Sequence, residues 1–225
     1  MNKALQLALL IGATLSPAAA FSDWTYGLEG GSVISDGNSA TRIRFRASLD
    51  ETPLSQYLYV DWVLSGSDSY ELGYKPRYRF TDDVYAFGEA RLRIEDALSI
   101  DRDTLAIGGI GLQVLSSRTQ QVVFEAGLGY QRIDYAAQTG LEETGSGVAV
   151  LRGRASQILS DLFKLELDAD IFTTDTFLES ELEAGISMRV QRGAIKLSHR
   201  VRRLDLDDAE TIDDSDTAVA FTLGF

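Results

Sequence analysis

The chain has 225 residues, 34 of them acidic and 21 basic, with a formal charge of −13 and no cysteine. That balance argues against nucleic acid and against simple adhesion to anionic lipid, and the missing thiols remove disulfides and thiolate metal sites. The length suits one domain. A mean hydropathy of −0.06 does not exclude a membrane barrel, in which lipid-facing apolar and lumen-facing polar residues cancel.

In chain order, the first element is a short basic head, Met1-Asn2-Lys3, then an apolar run from Ala4 to Leu15 and the small residues Ala18-Ala19-Ala20. This is the pattern of a secretory signal, too short to span a bilayer, and it predicts a leader over 1–20 and a mature barrel over 21–225. Beyond it no apolar stretch is long enough for a spanning helix.

Alternating segments then recur. Strands are expected near 24–33, 40–50, 56–65, 69–80, 84–95, 103–115, 121–134, 146–156, 162–172, 177–190, 192–203 and 216–225. The last alternates Val219, Phe221, Leu223, Phe225 against Ala218, Ala220, Thr222, Gly224, as an outer-membrane strand does at its terminal aromatic. An even count predicts a closed antiparallel transmembrane β-barrel of about twelve strands. In hydrocarbon an open edge leaves each unpaired backbone group costing several kcal/mol. Connections near 51–55, 81–83, 116–120, 157–161 and 191–192 are short, while 96–102, 135–145 and 204–215 are long and 66–68 and 173–176 are brief. The asymmetry places both termini on the periplasmic side.

A periplasmic sandwich or a soluble ligand-binding barrel would also alternate, with its apolar face inward. Here the polar face carries long charged side chains, and aromatics bracket the apolar band. Trp24, Tyr78, Phe80, Phe163 and Phe225 mark one rim, and Tyr70, Tyr130, Phe172 and Phe177 the other. Two girdles around an aliphatic belt fit a membrane.

The segment Tyr85-Ala86-Phe87-Gly88-Glu89-Ala90-Arg91-Leu92-Arg93-Ile94-Glu95-Asp96 resembles a signature of bacterial salt-induced outer membrane proteins, which carry a domain of unknown function. Gly108-Gly109-Ile110-Gly111-Leu112 and Glu125-Ala126-Gly127-Leu128-Gly129-Tyr130 look like that family's glycine-rich strands. The resemblance implies an outer-membrane barrel and offers no catalytic residues to carry over.

Residues facing each other across a tight turn keep a constant index sum. About Asp82, Lys75 should face Glu89 and Glu71 should face Arg93; about Pro53, Arg44 should face Asp61. Such wet cross-strand pairs are worth about 0.2–1 kcal/mol each. The connection at 173–176 should set Asp170 against Glu179, Asp168 against Glu181 and Glu166 against Glu183, a like-charge ladder needing an answer. Arg152 is expected beside Glu166, and Arg200 and Arg202 beside Glu183 and Glu181. Arg42, Arg44, Arg46, Arg77, Arg91 and Arg93 lie farther round as a basic wall. Twelve strands give a backbone diameter of roughly 24 Å, so such side chains either interlock shut or leave a narrow pore with a transverse field.

Other signals are weaker. His199, the one histidine, falls on the lipid face, with Ala184 on one side and Val219 or Phe221 on the other; a barrel lipid hydrolase would need a serine there. Asp205, Asp207, Asp208, Glu210, Asp213, Asp214 and Asp216 form an acidic outer loop that lacks the ordered spacing of a calcium loop. Glycines 108, 109, 111, 127 and 129 precede no helix, so they relieve crowding or allow curvature instead of binding phosphate. The expectation is a monomeric outer-membrane barrel with no enzymatic activity, cofactor or nucleic-acid partner. It would be embedded in lipid and lipopolysaccharide and delivered to the assembly machinery through Phe225. Its role would be envelope structure under salt stress or a narrow passive pore.

Overall fold

The computed structural model describes residues 24–35, 38–64, 69–95, 100–135, 144–175, 177–191, 193–206 and 211–224. These form twelve strands: β1 Thr25–Ser35, β2 Asn38–Glu51, β3 Leu54–Leu64, β4 Ser69–Arg79, β5 Val84–Glu95, β6 Ile100–Ser116, β7 Gln120–Tyr135, β8 Thr144–Ile158, β9 Phe163–Thr173, β10 Phe177–Val190, β11 Gly193–Leu206 and β12 Ile212–Gly224. Each pairs antiparallel with its sequence neighbours, and β1 pairs with β12, so the sheet closes as a barrel. Closure leaves no edge, and strict alternation then sorts every strand into an outward and an inward set.

The outward set is the apolar belt, with Ile110, Leu128, Leu151, Leu167, Leu182, Leu197, Val219 and Phe221 all exposed. Tyr78 packs edge-on against Phe80 with ring centroids 5.4 Å apart at the end holding the tight turns. Trp62 and Tyr70 pair at 5.4 Å at the opposite end. Phe172 does not belong to this girdle. It has the inward parity of Asp168 and Asp170 and packs inside the barrel. Phe225 lies outside the described residues.

The expected difference in loop length is muted. β6, β7 and β8 have 17, 16 and 15 residues, longer than the roughly 9–11 that cross a bilayer. They absorb much of what reads as loop. The acidic segment behaves the same way. Asp205 is still on β11, while Asp213, Asp214 and Asp216 are on β12, each facing an arginine of β11; 207, 208 and 210 lie outside the described residues.

Inside, one sector is packed. Tyr85 and Phe87 of β5, Leu105 and Ile107 of β6, and Val148 and Val150 of β8 form a buried apolar knot, with Val123 and Phe172 against it. The inward glycines of β6 and β7 make the space. A Cβ at Gly111 would overlap the Tyr85 ring, one at Gly109 would meet Phe87 and the Ala126 carbonyl, and those at Gly127 and Gly129 would meet Ile107. Crowding is the right reading for these four. Gly108 faces outward with open space around its Cα.

Candidate functional site

The knot carries a polar cap that ties together strands not adjacent in the sheet. Glu125 of β7 receives Lys75 and Arg77 of β4, the latter at 3.1 Å, and the Tyr85 hydroxyl donates to it at 2.7 Å. Arg152 of β8 reaches Glu89 of β5, Nη2 donating to Oε1 at 3.1 Å, and Lys75 lies 3.8 Å from the same carboxylate. Lys75, Glu89, Glu125 and Arg152 are all buried. Aromatic faces complete their surroundings: Lys75 sits 4.6 Å from the Phe87 centroid, and Arg152 5.3 Å from that of Phe172. Buried charges this well paired fix a geometry, and removing one partner leaves the other uncompensated.

Next to this sector, β2 and β3 hold Arg42 and Arg44 against a single acceptor. Arg42 Nε donates to Asp61 Oδ1 at 2.9 Å and Arg44 Nε to Oδ2 at 2.9 Å. Asp103 of β6 plays the same part for β5, with Arg93 at 2.9 Å, Arg91 at 3.8 Å, and Gln131 donating to its Oδ1 at 2.9 Å. Arg46 approaches Glu29 of β1 at 3.4 Å.

Across the lumen the carboxylates of β9 and β10 are only half-buried. Glu179 is 2.7 Å from Arg202, although that N–H is not aligned for a hydrogen bond. Glu181 lies 3.7 Å from Arg200, Glu183 accepts from Lys196 at 2.8 Å, and Glu166 accepts from Lys164 at 2.7 Å. Asp168 meets Arg154 at 3.5 Å and Asp170 meets Arg152 at 3.7 Å. Arg200 also donates to Asp216 at 2.7 Å. Between the two walls lies a cavity of about 790 Å³, lined by Arg44, Arg46, Arg77, Arg91, Asp168 and Glu181 among others.

Most inward assignments agree with the sequence reading. Arg44 faces Asp61, Glu71 faces Arg93, and Arg200 and Arg202 face Glu183 and Glu181. Glu71 takes its hydrogen bond from Tyr59 at 2.6 Å. The acidic ladder is corrected by two residues. Asp170 faces Glu181, Asp168 faces Glu183, and Glu166 and Glu179 face Gly185 and Phe172. The turn is centred one residue farther along than its sequence suggests: the Thr174 N–H donates to the Phe177 carbonyl and the Phe177 N–H to Thr174 Oγ1. Arg152 faces Asp170, not Glu166, which faces Ser156. Here β8 runs to Ile158, so the hairpin closes farther along than expected.

Glu29, Asp50, Arg79, Asp103, Glu125, Arg154, Lys196 and Asp216 also belong to the lumen and were not among the expected lumen charges. Their parity was readable; the ties that skip strands, Glu125 to Lys75 and Arg77 of β4 and Lys196 to Glu166 of β9 at 3.9 Å, were not. His199 does face outward beside Ala184, but its other neighbour is Thr217, whose Oγ1 is 3.0 Å from Nδ1. Among the described residues no carboxylate bonds its second ring nitrogen, the third member a nucleophile–base pair needs. No group of three or more histidine or acidic side chains there is placed to hold a metal ion.

A family model described as "Protein of unknown function, DUF481" matches residues 35–225. The sequence matches no curated protein. Among solved structures, the NanC porin superposes with a TM-score of 0.60 at 7% identity, over 87% of this chain and 98% of its own. The KdgM porin gives 0.56 at 10% identity, over 88% and 99%. The outer membrane channel DcaP of Acinetobacter baumannii gives 0.51 at 8%, over 90% and 96%. At these identities the likeness is one of fold.

Proposed function

This chain belongs to the DUF481 family, proteins of unknown function, and we propose that it is a narrow passive pore of the bacterial outer membrane for small polar or charged solutes. The observation that carries the reading is a closed barrel with an apolar outer belt around a charged cavity of about 790 Å³. Only a membrane rewards that inversion of the usual core, and a water-filled lumen is what solvates half-buried carboxylates such as Asp168 and Glu181. The fold shared with porins and an outer-membrane channel supports the same reading.

In this proposal residues 1–20 are a cleaved export signal, residues 21–225 are the mature barrel, and both termini face the periplasm. The barrel is monomeric, contacts lipid and lipopolysaccharide, and is handed to the assembly machinery by Phe225. A part in salt stress rests on the Tyr85–Asp96 resemblance alone. The chain turns over no substrate; the lumen charges position solutes and hold the wall. Refolded mature protein in a planar bilayer should give discrete conductance steps. A folded, inserted and silent barrel would overturn the pore and favour a closed structural barrel held by the Lys75–Glu125 and Arg152–Glu89 ties.

A further inference from the structure

We propose that the lumen passes anions in preference to cations, along the wall formed by β2 to β6; this rests on the pore reading above. The basis is radial layering of charge. On that wall arginines extend over more deeply buried carboxylates, Asp61 and Asp103 of the wall itself and Glu29 and Glu125 of the flanking β1 and β7. Arg77 is 33% exposed where its partner Glu125 is 2%, and Arg93 is 19% exposed where Asp103 is 0%. Arg42, Arg44 and Arg46 are likewise more exposed than Asp61 and Glu29. The acceptors are also shared, with Asp61 and Asp103 each serving two arginines.

The opposite wall is not layered this way. Asp168 and Arg154 are equally exposed, and Asp170 is 29% exposed against 5% for Arg152. There each carboxylate has a cation beside it, so the surface presented to the lumen is mixed. The cavity lining accordingly carries thirteen cationic side chains and nine carboxylates, although the whole chain is at −13. With the buried carboxylates behind the lining included, the formal charges of the lumen nearly cancel. The sign of the pore is therefore set by which member of each pair faces water, and on the β2–β6 wall that is the guanidinium.

Among the described residues, the buried Nε–H groups of Arg46, Arg77 and Arg91 have no acceptor, as is true of Arg152 and Arg202 on the other strands. Arg46 and Arg91 lie on one register row with only Tyr59 and Gly73 between them. A passing oxyanion or chloride meets a line of guanidiniums, while a cation meets only the compensated wall.

The test is the reversal potential of the refolded barrel in a potassium chloride gradient. A chloride-to-potassium permeability ratio of about two- to threefold is expected at 0.1 M salt, weakening toward 1 M as the screening length falls from about 10 Å to about 3 Å. Arg46→Gln and Arg79→Gln, exposed enough to leave folding intact, should each lower the ratio, and Asp168→Asn should raise it. Heat modifiability on gels verifies that each variant folds. A conducting pore with a ratio at or below one would overturn the inference while leaving the pore reading standing. No conductance at all would remove both.

Discussion

The barrel interior contains two regions built from the same residue types and put to different use. Across β4 to β8, Lys75, Glu89, Glu125 and Arg152 are buried over a knot of Tyr85, Phe87, Ile107 and Val150. Across β9 to β11, Asp168, Glu181 and Arg202 remain part-exposed along the cavity, with Arg154 of β8 beside Asp168. The first region is soldered by pairs that jump strands; the second pairs mainly with its neighbours in the sheet, with Lys196 of β11 also 3.9 Å from Glu166 of β9. Burial, not charge, separates the two, because a buried pair fixes geometry whereas a wet one is screened and exchangeable.

The largest effect should come from Glu125→Ala. It strands Lys75 and the Tyr85 hydroxyl in a dry site and should cost about 3–5 kcal/mol, read as a lower urea midpoint for unfolding from lipid vesicles. If Glu125→Ala proved no more costly than a change on β10, the division between sectors would fail. Gly109→Val should cost about 1–3 kcal/mol by overpacking against Phe87 and the Ala126 carbonyl. Gly108→Val, on the open outer face, is the control and should leave the midpoint in place. Glu181→Gln should be the mildest, within about 1 kcal/mol, since its ion pair is long and part-exposed. Its effect should show instead in ion selectivity, and a large stability change with unaltered selectivity would reverse its assignment.

The strand count and inward parity were readable because alternation repeats every two residues and a one-residue slip would turn Arg91 or Glu181 into lipid. The register around Thr174 was not. Thr173-Thr174-Asp175-Thr176 offers several closures, and the Phe177 N–H donating to Thr174 Oγ1 goes with the one centred a residue later. The partners of Glu125 and Arg152 were hidden for a different reason: they depend on barrel stagger, which no single hairpin encodes. The knot was half visible. Glycines 109, 111, 127 and 129 fall on the lumen parity, and the side chains that Gly109 and Gly111 admit, Phe87 and Tyr85, stand one strand away in the segment that carried the family resemblance.

The absence of cysteine from the chain makes site-directed labelling the most direct measurement. Asp168→Cys, Val150→Cys and Leu151→Cys, each in the barrel inserted in vesicles, would be exposed to a membrane-impermeant maleimide. Rapid modification is expected at position 168 on the open wall, with protection at 150 by the knot and at 151 by lipid. Equal labelling at 150 and 168 would contradict that division, since the lumen would then be open all round and the sealed sector would not exist.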